Sequence, residues 1–189
     1  MSEQVSIFKS LEAVLFIADE AVPTADLAVL FELPATRIEY FLEEMTRRLE
    51  EGDRGIVLRR VAGGWRLATH PDTAPYLERF VGERRGSRLS HAALETLAIV
   101  AYRQPVSRGQ ISDIRGVSSD GVLRTLVVRG VVEEVGRDPG PGQAILYGTT
   151  PFFLEKVGLD ALSELPSLAD LMPDSLAVER MESGLGPGL

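Results

Sequence analysis

Residues 112–150, "SDIRGVSSDGVLRTLVVRGVVEEVGRDPGPGQAILYGTT", hold the end of a short helical run, a turn, a second helix and two β-rich runs about a Pro/Gly tip. Ser118 or Ser119 with Asp120 starts the second helix, because a serine side chain and an early acid both suit a helix N-terminus. Val122, Leu123, Leu126 and Val127 recur at helical steps and are assigned to the core side. The strands "VVEEVGR" and "QAILYGTT" then fold back on each other. Helix, helix and glycine-tipped strand pair, in that order, outline a winged helix, a module widely used to read DNA. Upstream, Ser107 and Gln110 have capping-box spacing, and Leu94, Leu97, Ala98 and Ala101 make the stripe of a further helix capped by Ser90.

The same order stands earlier in the chain. Ile7, Leu11, Val14, Leu15 and Ala18 mark an amphipathic helix, and Thr24 is placed to cap a second one with Asp26 in its first turn. Pro34 opens a third helix whose stripe is Ile38, Phe41, Leu42, Met45 and Leu49, with Glu43/Arg47 and Glu44/Arg48 at i,i+4 spacing and Gly52 as the stop. "IVLRRVA", a Gly63-Gly64 turn and "WRLATH" make a first wing. Leu11-Glu12 and Leu94-Glu95 sit at equivalent points 83 residues apart. The expected fold is mainly α with small β-wings (α+β): two tandem winged-helix domains, residues 1–83 and 90–172. Residues 84–89 are a linker, and 173–189 an acidic tail too poor in apolar residues to fold. "PFFLEKVGLDALSEL" adds helical segments packed on the second unit, Thr149-Thr150 supplying a cap and Phe152-Phe153 an anchor.

Composition limits what such a fold can do. The 189 residues carry a net charge of −8 and pI near 4.9, a poor basis for holding a polyanion, whose phosphates supply most non-specific affinity. By segment, residues 1–86 carry 11 basic and 15 acidic side chains, 87–160 carry 8 and 8, and 161–189 carry 1 and 5. No segment is basic. Zero cysteines remove disulfides, thiolate nucleophiles and cysteine-ligated metals. His70 and His91 have no acidic partner at ligand spacing, and neither paired carboxylates nor a nucleophile with a base is apparent, so no enzyme, cofactor or metal is expected. "GPG" at 140–142 is a hairpin tip, and "RRGSR" at 84–88 a solvated tether. No apolar run reaches the roughly 20 residues a membrane helix needs, and residues 1–9 lack signal-peptide order, so a cytoplasmic chain without membrane contact is expected.

The helix that would enter a DNA groove needs Arg, Lys, Asn or Gln on its outward side. With the first unit's stripe turned inward, Glu39, Glu43, Thr46, Arg47 and Glu50 face away, and three carboxylates would meet phosphates. In the second unit Gly121, Arg124, Thr125 and Val128 fall on the outward face. That is smooth apolar surface with one arginine, which suits a polypeptide better than a base edge, although a singly exposed valine is also ordinary.

These residues resemble the segregation and condensation protein B (ScpB) family. "ALETLAIVAYRQPVSRGQISDIRGVSSDGVLRTLVVRGVVEEVGR", "ILYGTTPFFLEKVGLDALSELP" and, at 63–69, "GGWRLAT" carry the likeness, from about Leu11 to Pro166. The sequence departs from the family pattern at Gln143-Ala144, usually Arg-Pro, and at Val157, usually Phe. The resemblance implies a non-enzymatic, nucleoid-associated subunit of the bacterial SMC condensin, active in chromosome condensation and segregation. It implies a homodimer formed through the first unit, with the kleisin ScpA bound chiefly by the second and the SMC ATPase reached through it, and no direct sequence-specific contact with nucleic acid. Kleisin contact is assigned to Arg115, Gly121, Arg124, Thr125 and Val128 on the helices and to Tyr147, Thr149, Phe152 and Phe153 after the wing. Dimerisation is assigned to Leu27, Leu30, Phe31 and Phe41. The alternative is a dimeric winged-helix transcriptional regulator that places Arg124, Arg129 and Arg115 on phosphates or guanines.

Overall fold

The computed structural model describes residues 6–81 and 89–168; the assigned linker, save Leu89, and the assigned tail lie outside the described residues. The first unit opens with α1 (Ile7–Ile17), α2 (Thr24–Phe31) and α3 (Ala35–Glu51), whose inward residues Leu11, Leu15, Leu27, Ile38, Leu42 and Met45 form its core with Leu58 and Trp65. Phe41 and Leu49 are half-buried at its margin. Pro34, with ψ 140°, stands at the entry to α3, and Gly52 stands at its end. Thr24 does not cap α2. Pro23 occupies the capping position, and the Thr24 hydroxyl instead accepts the indole N–H of Trp65 at 3.1 Å.

Strands β1 (Ile56–Val61) and β2 (Gly64–Thr69) pair antiparallel as the first wing. The turn is Ala62-Gly63, one residue earlier than expected, with φ of 50° and 75°, the doubly positive pattern of a type I′ hairpin. Gly64 has a separate reason to be glycine. A Cβ there would lie 2.8 Å from the Val22 carbonyl carbon and 2.9 Å from that of Ala21. That close approach lets Val22 and Trp65 exchange both backbone hydrogen bonds at 2.9 Å. After β2, a 3-10 turn (Pro71–Thr73) leads into α4 (Ala74–Val81), an element for which the sequence reading made no provision. His70 starts it, its ring nitrogen accepting from the Asp72 N–H at 3.2 Å.

The second unit runs α5 (His91–Arg103), β3 (Val106–Ser107), α6 (Arg108–Arg115), α7 (Asp120–Val128), β4 (Val132–Arg137), β5 (Ile145–Thr149) and α8 (Pro151–Val157), then a 3-10 turn at Leu162–Glu164. Ser90 caps α5, the Ser107/Gln110 capping box opens α6, and Thr150 caps α8. Ser119 occupies the capping position of α7 without a side-chain cap; it is fully buried and its N–H donates to the Ser112 hydroxyl. The sheet order is β3-β5-β4, all antiparallel. Two-residue β3, too short to show any period, exists because Val106 and Ser107 meet Tyr147 and Leu146. The glycine of "LYGTT" has a packing reason: a Cβ on Gly148 would come within 2.8 Å of both the Gln104 amide oxygen and a Val135 methyl.

The inward face of α5 is rotated from the expected stripe. Ala93, Thr96, Leu97, Val100 and Ala101 are buried, whereas Leu94 is 53% exposed and Ala98 is also outside. The 83-residue match of Leu11 with Leu94 therefore pairs a core residue with a surface one. Burial repeats instead as Leu11 with Ala93 and Leu15 with Leu97, because the cover from neighbouring elements, and not residue identity, defines the repeated face. The second core gathers these residues with Val106, Ile111, Leu123, Leu126, Val131, Val132 and Phe153, and it is separate from the first.

Candidate protein-binding surface

On α3, Glu43, Arg47 and Glu50 are exposed and Glu39 and Thr46 half-exposed, so the expected outward face is observed. Its cations are already matched. Arg47 does not pair with Glu43; it bonds Glu44 and Glu51, each at 2.7 Å, while Arg48 bonds Glu44 at 2.8 Å. Arg60, on the wing beside α3, holds Glu39 at 3.0 Å and Asp160 at 3.1 Å. Hydrogen bonds first from Arg47 and then from Arg48 pull the Glu44 carboxyl down from 4.5 to about 2, and hydrogen bonds to Glu44 and then to Glu51 raise the Arg47 guanidinium above its usual value. The sign is that of a depressed acid: whatever this network adds to stability is present above pH 4.5 and is lost as pH falls through about 2. Carbon-detected NMR titration should therefore place the Glu44 midpoint at about 2; a midpoint near 4.5 would show the network to be open in solution.

The α7 face differs in kind. Gly121, Arg124, Thr125 and Val128 are all exposed, Val128 by 81%. Val127, expected in the core, is partly exposed as well, because Leu123 and Leu126 fill the inward positions of this nine-residue helix. Val127, Val128 and Leu123 line a cleft of about 540 Å³ with Tyr147 of β5, Gly121, Arg124 and the Arg108–Asp120 pair, 3.3 Å apart. Nothing lies within 4 Å of where a Gly121 side chain would start, so the helix presents bare backbone there. The Thr125 hydroxyl donates to the Gly121 carbonyl at 2.9 Å. A smaller hollow of about 270 Å³ continues past Arg108 and Tyr147 to Gly109, Ala144 and Ile145.

The other expected contact residues are more dispersed. Thr149 is half-buried and tied to Gln104, whose amide oxygen accepts the Thr149 N–H at 2.8 Å. Phe152 is partly exposed beneath the Lys156 ammonium, 4.6 Å from its ring centre. Phe153 is a core residue and has no surface to offer. Arg115 does not line the cleft; its side chain is largely buried and pairs with Glu95 at 3.3 Å. His91, contrary to expectation, has an acidic neighbour, with Nδ1 2.9 Å from Glu95. Among the described residues no three His, Asp or Glu side chains come together as a metal site.

Of the residues assigned to dimerisation, Leu27 is 0% exposed and belongs to the core. Phe31 and Phe41 are half-buried, Phe41 edge-on to Phe8 at 5.3 Å. Only Leu30 is fully on the surface, and Phe16, Ile17, Val29 and Tyr40 share that exposure. Periodicity could have found Phe16 and Ile17, since both fall off the α1 stripe.

The family model for segregation and condensation complex subunit ScpB matches residues 9–168. Segregation and condensation protein B of Geobacillus kaustophilus is 46% identical over 165 residues, covering 87% of this chain and 76% of that one. The crystal structure of ScpB from Mycobacterium tuberculosis is 41% identical, with a TM-score of 0.41, over 83% of this chain and 99% of that one. A ScpB N-terminal domain, solved as a dimer complexed with ScpA peptide, is 31% identical over 39% of this chain and 93% of that one, with a TM-score of 0.38.

Proposed function

We propose that this chain, which belongs to the segregation and condensation complex subunit ScpB family, is a non-enzymatic subunit of the bacterial SMC–kleisin complex that holds a polypeptide, the kleisin ScpA, on the helix face that a DNA-reading helix-turn-helix module turns to the major groove. The observation that carries this is the α7 face: Val127, Val128 and Tyr147 with Arg124 occupy the place where a nucleotide reader needs several cations. The matched ion pairs on α3 support the same reading from the first unit, since an arginine engaged by carboxylates has little field left for phosphate. The homodimer forms through the first unit, with the exposed side chains of Leu30, Val29, Phe16 and Ile17 as its apolar surface. Through the kleisin the chain reaches the SMC ATPase and the nucleoid. Among the described residues no helix is long and apolar enough to cross a membrane.

Purified chain and ScpA should give a stable complex by native mass spectrometry, with more than one copy of this chain per kleisin. Val128→Asp should weaken that complex by about 1–3 kcal/mol, the cost of burying a polar group without a partner. Calorimetric titration with wild type and variant gives the difference, and an unchanged Kd removes the α7 face from the contact. A duplex bound sequence-specifically, with an affinity falling steeply with salt, would establish the regulator in its place.

A further inference from the structure

The two units meet through polar groups. Glu155 of α8 reaches the first unit, one carboxylate oxygen accepting the Ala21 N–H at 2.9 Å and the other bonded to the Arg66 guanidinium on β2. Its side chain is 6% exposed. A carboxylate that is buried must be matched by charge and by donors, or burial is strongly unfavourable. Here both donors come from the other unit. Five residues on, Asp160 accepts the Gly63 N–H at the tip of the first wing at 2.8 Å and holds Arg60 at 3.1 Å. The Leu159 carbonyl accepts the Ala62 N–H at 2.9 Å.

Both ends of this contact are braced. Glu155 follows Phe153, which is anchored in the second core, and the Asp160 backbone N–H donates to Glu164 at 2.7 Å. On the other side the Ala62-Gly63 turn is held in its left-handed conformation by the hairpin. Gly158, at the α8 terminus, also lines the α3–wing cleft of about 630 Å³. Gly158 therefore stands at one margin of the first unit's counterpart of the α7 cleft, and Asp160 holds Arg60, which lines the same cleft. Charge-assisted bonds are directional and strong for their area, whereas apolar contact permits sliding.

We propose that Glu155 and Asp160 form a polar latch that seats the second unit on the first unit's wing, sets the angle between the two units and covers one edge of the α3–wing cleft. The latch goes beyond the partner reading and would hold with no kleisin present. It makes the occupant of that edge a segment of the chain itself.

The chain has no cysteine, so Glu12→Cys and Asp113→Cys, both at exposed helical sites on opposite units, can carry spin labels without background. Labelled chains are diluted into unlabelled chain so that only distances within one chain are read. Wild type should give one narrow distance population. Glu155→Gln, Arg66→Met and Asp160→Ser should each replace it with a broad one, with circular dichroism unchanged. Combining Glu155→Gln with Arg66→Met should add little to either, since both remove one interaction. Asp160 lies in a loop and Arg66 is part-exposed, so those two variants report even if Glu155→Gln disturbs α8. A broad population in wild type overturns the latch, as does a narrow one that survives all three substitutions. The measurement contains no partner, so its failure is separate from that of kleisin binding.

Discussion

Leu27→Ala is expected to lower the free energy of unfolding by about 2–5 kcal/mol, the range for truncating a fully buried leucine. Leu27 lies on α2 between α1 and α3, 0% exposed among Leu11, Ile38 and Leu42. Its loss removes apolar burial and leaves a space that rigid neighbours fill only in part. Leu30, three residues on and exposed, should cost within about 0.5 kcal/mol of nothing in the folded monomer when cut to alanine. Urea titration of the two variants, at a concentration where dimer content is known, distinguishes them. Equal midpoints would mean that α2 is rotated from the position described.

The second large effect is at Gly64. Gly64→Ala should destabilise the first unit by about 3 kcal/mol, the upper part of the range for overfilling a close-packed site. The added methyl would meet backbone carbons of Ala21 and Val22, which cannot rotate away as a side-chain tip can. Moving them breaks the Val22–Trp65 bridge and, with it, the placing of Trp65 against Thr24. Trp65 is the only tryptophan in the chain, so its emission reports the site directly. A red shift with an earlier thermal midpoint is expected. Unchanged emission with unchanged stability would show that residues 21–22 do not lie on β2.

How far the sequence was sufficient varied with the range of the interaction concerned. Capping at Ser90, Ser107 and Thr150 was legible because a cap is made by residues three apart. The outward residues of α3 and α7 were legible because a strong apolar stripe leaves one side for solvent. Short helices were harder. Alpha5 contains apolar residues on several sides, so periodicity could not tell Leu94 from Ala93, and α7 is too short for Val127 to be placed by repeat. Thr24 looked like a cap until Trp65, forty-one residues away, was found on its hydroxyl.

The candidate surface divided along the same line. Gly121, Arg124 and Val128 follow from helical geometry within α7, but Tyr147 joins them only because β5 lies beside that helix. Phe153 and Leu27 were placed at interfaces because an aromatic or leucine in a short amphipathic helix serves core and partner equally well in sequence; burial decided for the core. Arg115 looked available to a ligand and is instead held by Glu95, twenty residues earlier.

Local chemistry in this chain, its helical periods, caps, turn glycines and charge by segment, determined on its own that there are two helix-helix-helix-wing units with a poor field for phosphate. Each of those properties depends on residues a few positions apart. Which apolar side chains are covered, which arginines are matched, and how Glu155 and Asp160 join one unit to the other were decided only in the tertiary structure. Burial and ion pairing depend on what the rest of the chain brings near, and no local pattern encodes that.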